Sequence, residues 1–200
     1  MQLSSVLLSI LAATGASAAP TSEGSGKSCA VPARKFNIMS LRSASPIHFG
    51  QAGATQNKLV LNLPEDKADA QCTNGETRRD ATFYIKDGEL FLYGGKDKVQ
   101  QFFVDRSGMG QGVMQYFTKG EGGIPRNGET KGWAVDENDN LSFNGAGLLA
   151  CPSANNTAPW YVWVSAGINQ PAGQQGCLGF SARTLTAATP VQCTYSNYSA

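Results

Sequence analysis

From Phe36 onward the chain is written in twos. Leu59, Leu61 and Leu63 alternate with Val60 and Asn62. Phe83 and Ile85 alternate with Tyr84, and Leu90 and Leu92 with Phe91 and Tyr93. The same period runs through Phe102 and Val104, then Val113, Gln115 and Phe117, then Trp160, Val162 and Val164. It resumes in Leu178, Phe180 and Ala182, and in Val191, Cys193 and Tyr195. Runs of about 4–7 residues with this period are strands that bury one face. Gly, Asn, Asp and Pro separate them. Beyond the first residues no helical period is free of Gly and Pro; Pro64 to Ala70 has room for one helical turn. Strands without helical crossovers imply an antiparallel all-β fold, a β-sandwich or a partly closed barrel. Two segments, Phe83–Leu92 and Trp133–Phe143, echo each other as strand, acidic turn and returning strand. Asp87-Gly88 is a tight-hairpin signal.

The amino-terminal segment has a different character. Val6 to Ala13 is an apolar run followed by Ala16-Ser17-Ala18, a small-x-small cleavage pattern. It is too short to span a bilayer, which takes about 20 residues. Residues 1–18 read as a signal peptide, 19–35 as a flexible Ser/Gly-rich leader, and 36–200 as a single β domain. The tail from Cys193 to Ala200 is polar and carries no lipid-anchor signal, so the expectation is a secreted, extracellular protein without a membrane anchor.

Secretion decides how the five cysteines read. In an oxidising compartment they are a disulfide framework first. No Cys-x-x-Cys pair suggests zinc. Cys29 lies in the leader and reads as the odd one, available to pair between molecules. Cys72, Cys151, Cys177 and Cys193 admit three pairings. The reading favours Cys151–Cys177, because both flank one aromatic strand, together with Cys72–Cys193. Three N-glycosylation sequons begin at Asn140, Asn155 and Asn197. Asn155 is the best placed, in the polar stretch Ser153–Pro159.

Charge narrows the partners. Sixteen basic residues against fifteen acidic leave +1, and charged residues are 16% of the chain. That is a poor endowment for gripping phosphate backbones, so nucleic acid is not an expected partner. One histidine excludes any site built on two imidazoles. No cofactor is indicated.

Few constellations suggest chemistry. His48 stands without a nucleophile elbow and reads as a hydrogen-bonded structural residue. Asp105-Arg106, opening the glycine-rich stretch to Gly112, reads as a charge pair at a strand end rather than as a catalytic acid. Asp136-x-Asn138-x-Asn140 opens like a calcium loop but has Leu141 at position six and Gly147 at position twelve, so it reads as a turn. Trp160-Tyr-Val-Trp163 is the main aromatic feature. If Trp160 and Val162 face the core, Tyr161 and Trp163 face the other way. There they are either covered by another layer or able to stack on sugar rings.

Six segments carry a resemblance: Leu41-Arg-Ser-Ala-Ser-Pro-Ile-His48, Ala81-Thr-Phe-Tyr-Ile-Lys-Asp-Gly-Glu-Leu90, Val104-Asp-Arg-Ser-Gly-Met-Gly-Gln-Gly112, Gly132-Trp-Ala-Val-Asp136, Leu149-Ala-Cys-Pro152 and Gly176-Cys-Leu-Gly-Phe180. Through them, and over nearly all of the domain, the chain resembles the PhiA family of fungal secreted cell wall proteins. The resemblance implies a non-enzymatic, glycosylated wall component linked to phialide and conidium formation. Its partners would be wall polysaccharide or wall proteins. The family's four domain cysteines match Cys72, Cys151, Cys177 and Cys193, while Cys29 departs from the pattern. No catalytic residue is implied. A lectin-like module binding β-glucan or chitin is the alternative, and a glycoside-active enzyme using Asp105 a more distant one.

Overall fold

The computed structural model describes residues 33–95, 97–153 and 157–197. Residues 1–18, read above as a signal peptide, most of the segment read as a leader, Cys29 and Asn155 lie outside them. The fold is all-β, with nine antiparallel strands closed into a barrel and further strands attached. In chain order the strands are β1 (Lys35–Leu41), β2 (Ala52–Thr55), β3 (Lys58–Leu61), β4 (Gln71–Cys72), β5 (Phe83–Lys86), β6 (Glu89–Leu92), β7 (Gln100–Asp105) and β8 (Val113–Thr118). After these come β9 (Gly128–Glu129), β10 (Trp133–Val135), β11 (Leu141–Phe143), β12 (Leu148–Pro152), β13 (Trp160–Val164), β14 (Leu178–Thr186) and β15 (Cys193–Thr194). One helical turn, Glu65–Lys67, falls within the stretch Pro64–Ala70.

Around the barrel the order is β3, β8, β7, β6, β5, β1, β14, β12, β13 and back to β3. The closure is forked. β13 meets β8 directly at Trp163 and Val113. Two residues earlier β13 leaves β8 and pairs instead with β3, Tyr161 opposite Val60. β3 in turn pairs with β8 at Lys58 and Gln115. β3 is thus a wedge in the seam, and β2 hangs from its outer edge. The seam depends on Gly112. Val164 N–H donates to the Gly112 carbonyl at 2.8 Å, and a Cβ on Gly112 would stand 2.0 Å from the Val164 oxygen.

Alternation fills the interior. β1 buries Phe36, Ile38 and Ser40, and β8 buries Met114, Tyr116 and Thr118. In β8 the residues Val113, Gln115 and Phe117 therefore face outward. A row of rings crosses the core: Phe36 to Phe83 at 6.1 Å, Phe83 to Phe102 at 6.0 Å, Phe102 to Tyr116 at 5.6 Å. Each such pair contributes about 0.5–1.5 kcal/mol beyond its buried area. Burial pushes the Tyr116 phenol well above its ordinary value, so it stays protonated and donates to the Ser196 carbonyl. The β5–β6 turn has positive φ at both Asp87 and Gly88, 54° and 77°, as a tight hairpin that follows strand twist requires.

Extra segments cover the barrel where the strands' ends would be open. The β10–β11 hairpin brings Trp133, Leu141 and Phe143 into the core. Its backbone is tied to the β5–β6 turn, where Trp133 N–H donates to Gly88, and to β14, where Thr184 N–H donates to Asp139. At the far end of β6 the carboxy-terminal segment is gripped in the same way. Gln100, buried at the start of β7, donates to the Tyr195 carbonyl at 2.8 Å and accepts from the Tyr195 N–H at 2.9 Å. Two disulfides, Cys72–Cys193 and Cys151–Cys177, complete the framework. The first joins facing residues of β4 and β15. The second ties β12 to the segment that leads into β14.

Candidate functional site

The phase of β13 sets the site. Trp160, Val162 and Val164 are buried, so Tyr161 and Trp163 point outward from adjacent turns of the pleat, half-exposed. They stand at the fork where β3 enters the seam. Lys58, the first residue of β3, holds its ammonium 4.8 Å from the centre of the Tyr161 ring, a cation–π distance. On one side of Tyr161 is a hollow of about 450 Å3 edged by Thr55, Asp69 and Pro159. On the other is a smaller one, about 180 Å3, lined by Trp163, Gln115 and Gln174. The arrangement offers two ring faces, two carboxamides and one cation on an open surface. Such a surface suits a polyhydroxylated ligand with an apolar face.

A larger groove, about 640 Å3, lies on the outer face of β1 and β14. Its rim carries Phe49, 60% exposed. Nothing in the sequence pattern singled this residue out. Its neighbourhood is the end of a non-alternating loop, and the one hint was its place after the single histidine.

The remaining candidates resolve into structural roles. His48 accepts the Arg42 N–H at 3.2 Å through Nδ1 and lies against the Phe49 ring, centroids 3.8 Å apart. Arg106 does not pair with its neighbour Asp105. Lying just past the end of β7, it makes a bidentate bond to Glu129 of β9, at 2.9 and 2.7 Å. Asp105 instead accepts the Ser107 N–H at 2.9 Å and lies against Gly110. The Arg106 guanidinium holds the Glu129 carboxyl below its ordinary value. Asp136 is also held low, chiefly by N–H and amide bonds from Asn140. Both shifts run opposite to what a general acid needs. Asp136 caps its turn by accepting the Asn138 and Asn140 N–H groups at 2.9 and 2.8 Å. Among the described residues no cluster of three His, Cys, Asp or Glu forms a metal-holding group. No helix there is long and apolar enough to cross a membrane.

The two described sequon asparagines differ. Asn140 sits at the β10–β11 turn, partly exposed. Asn197 is engaged: its amide nitrogen donates to Thr118 at 2.8 Å and Glu121 at 3.1 Å. A glycan on that nitrogen replaces one of its two hydrogens.

Known proteins similar to this chain are secreted wall proteins. The profile of a family described as PhiA-like secreted protein matches residues 36–196. A cell wall protein phiA from Emericella nidulans is 40% identical over 162 residues, 81% of this chain and 86% of its own length. The protein of the same name from Aspergillus fumigatus is 38% identical over 98% of this chain and all of its own. That from Aspergillus niger is 36% identical over 94% of this chain and 96% of its own. No solved structure matches the chain. With the family profile spanning the whole barrel and relatives this similar along nearly their full length, the chain belongs to the PhiA-like secreted proteins.

Proposed function

We propose that this protein is a structural, non-catalytic glycoprotein of the fungal cell wall that takes part in forming phialides and conidia. The observation that carries the reading is its similarity, over nearly full length, to proteins named cell wall protein phiA in several fungi. The fold supports it. A barrel packed solid with aromatic rings and cross-linked twice suits a part that must persist outside the cell. Whatever it binds meets its outer surface. Two tests apply. Washed walls from conidiating cultures should retain the protein, and a deletion strain should form fewer or misshapen phialides. A protein found only in the medium, with normal phialides in the deletion strain, would overturn the reading.

A second reading is favoured by one feature, the outward pair Tyr161 and Trp163 beside Lys58. It makes the protein a binder of wall polysaccharide, β-glucan or chitin, through that face.

A further inference from the structure

We infer that the groove under Phe49 is a separate carbohydrate subsite, taking a neutral oligosaccharide segment. The inference rests on the wall reading only for its choice of sugars. Five large apolar side chains are exposed among the described residues, and two of them, Phe49 and Leu185, line this one groove. Leu185 sits directly across from Asn37 on the outer face of the β1–β14 pair.

Phe49 is held there against two costs. Its ring is exposed to water, and its backbone has φ 62°, a conformation that non-glycine residues seldom adopt. The surrounding structure enforces it. Phe49 N–H donates to Ser40 at 2.8 Å, and Ser40 N–H to Gly50 at 2.9 Å, which clamps the loop to the end of β1. His48 packs against the ring, centroids 3.8 Å apart, and Phe49 lines the groove.

The polar lining fits a sugar better than an ion. Asn37 spends its amide hydrogens on the Ala81 carbonyl at 2.8 Å and Asp80 at 3.3 Å, which leaves its Oδ1 to accept. Gln51, at the same groove, presents both donor and acceptor. Arg78 is neutralised by Asp80 at 2.8 Å. Arg79 is exposed and its guanidinium has no partner among the described residues. Its backbone is laid firmly on β2, since a Cβ on Gly53 would stand 2.1 Å from the Arg79 carbonyl. One free cation beside an internal ion pair is little for a polyanion. A ring face for the sugar's CH groups, with amides and a guanidinium fork for its hydroxyls, is the complement of a neutral glycan.

The test is calorimetric titration of the glycosylated mature protein with soluble β-1,3-glucan, chitin and cellulose hexasaccharides. At least one should bind. Phe49→Ala and Arg79→Ala should each weaken it about tenfold or more, the loss of one well-placed contact. Phe49→Tyr, which keeps the ring, should bind like the wild type. The exposed position means that the melting temperature should hold in all three variants. Wild-type affinity in Phe49→Ala, or no binding of any hexasaccharide to the wild type, would overturn the inference. Retention in washed walls is read separately, so either result can fail without the other.

Discussion

A Cys72→Ala/Cys193→Ala variant should lose about 5 kcal/mol of stability, the loop-entropy value for a bridge that closes a chain this long. The bridge spans 121 residues, and without it the unfolded chain regains the freedom of that whole loop. The loss matches a large part of a typical domain's total of about 5–15 kcal/mol. There is a local consequence as well. Cys193 is buried in the core and leads directly into Tyr195 and Ser196, which Gln100 and Tyr116 hold. Untethered, the carboxy-terminal segment keeps its hydrogen bonds, its short pairing with β4 and the buried Tyr195, but loses its covalent tie to the barrel. The Cys151–Cys177 bridge spans 26 residues, so its removal should cost less, about 3.5 kcal/mol on the same entropy argument. Urea unfolding of the two double variants measures both. Equal losses, or the reverse order, would show that loop entropy does not govern this framework.

Gly112→Ala should be the most damaging single substitution at the seam, at about 4 kcal/mol or more. Two effects add. The residue has φ 93°, which costs any residue with a Cβ about 1–2 kcal/mol. The new methyl would also sit 2.0 Å from the Val164 carbonyl. That oxygen belongs to the backbone of β13 and cannot swing aside as a side chain would. The same stretch carries the hydrogen bond from Val164 to Gly112 and the β8–β13 pairing at Trp163, so relief of the clash opens the barrel. Gly120→Ala is the control. Its φ is 90°, but nothing lies within 4 Å of a Cβ there, so only the backbone cost should appear. Similar destabilisation by both substitutions would mean that the seam tolerates the methyl.

Much of the barrel could be read from the alternation of residues, and the parts that could not share a physical reason. Strands with one wet face, such as β5, β8 and β13, carry a clear period of two. β2 and β12 are buried throughout. Their sequences, Ala-Gly-Ala-Thr and Leu-Leu-Ala-Cys-Pro, show no alternation because both faces are covered. The choice between sandwich and barrel hung on which strand β13 meets. Pairing with β3 and β8, far apart in the chain, leaves no local mark. The site divided along the same line. The outward direction of Tyr161 and Trp163 followed from their neighbours in β13. Lys58 reaches Tyr161, and Glu129 captures Arg106, only through long-range pairing. Phe49 depends on a loop clamp that no periodicity reports.

Sedimentation with insoluble β-glucan, chitin and cellulose tests most directly whether the outer surface binds the wall. The protein as secreted by its fungus should be depleted selectively by one polymer. A Tyr161→Ala/Trp163→Ala variant with an unchanged melting temperature should be depleted markedly less, retaining only what the Phe49 groove holds. Depletion of the variant equal to that of the wild type would contradict binding through this face, and no depletion of either by any polymer would contradict polysaccharide binding and leave a passive wall component.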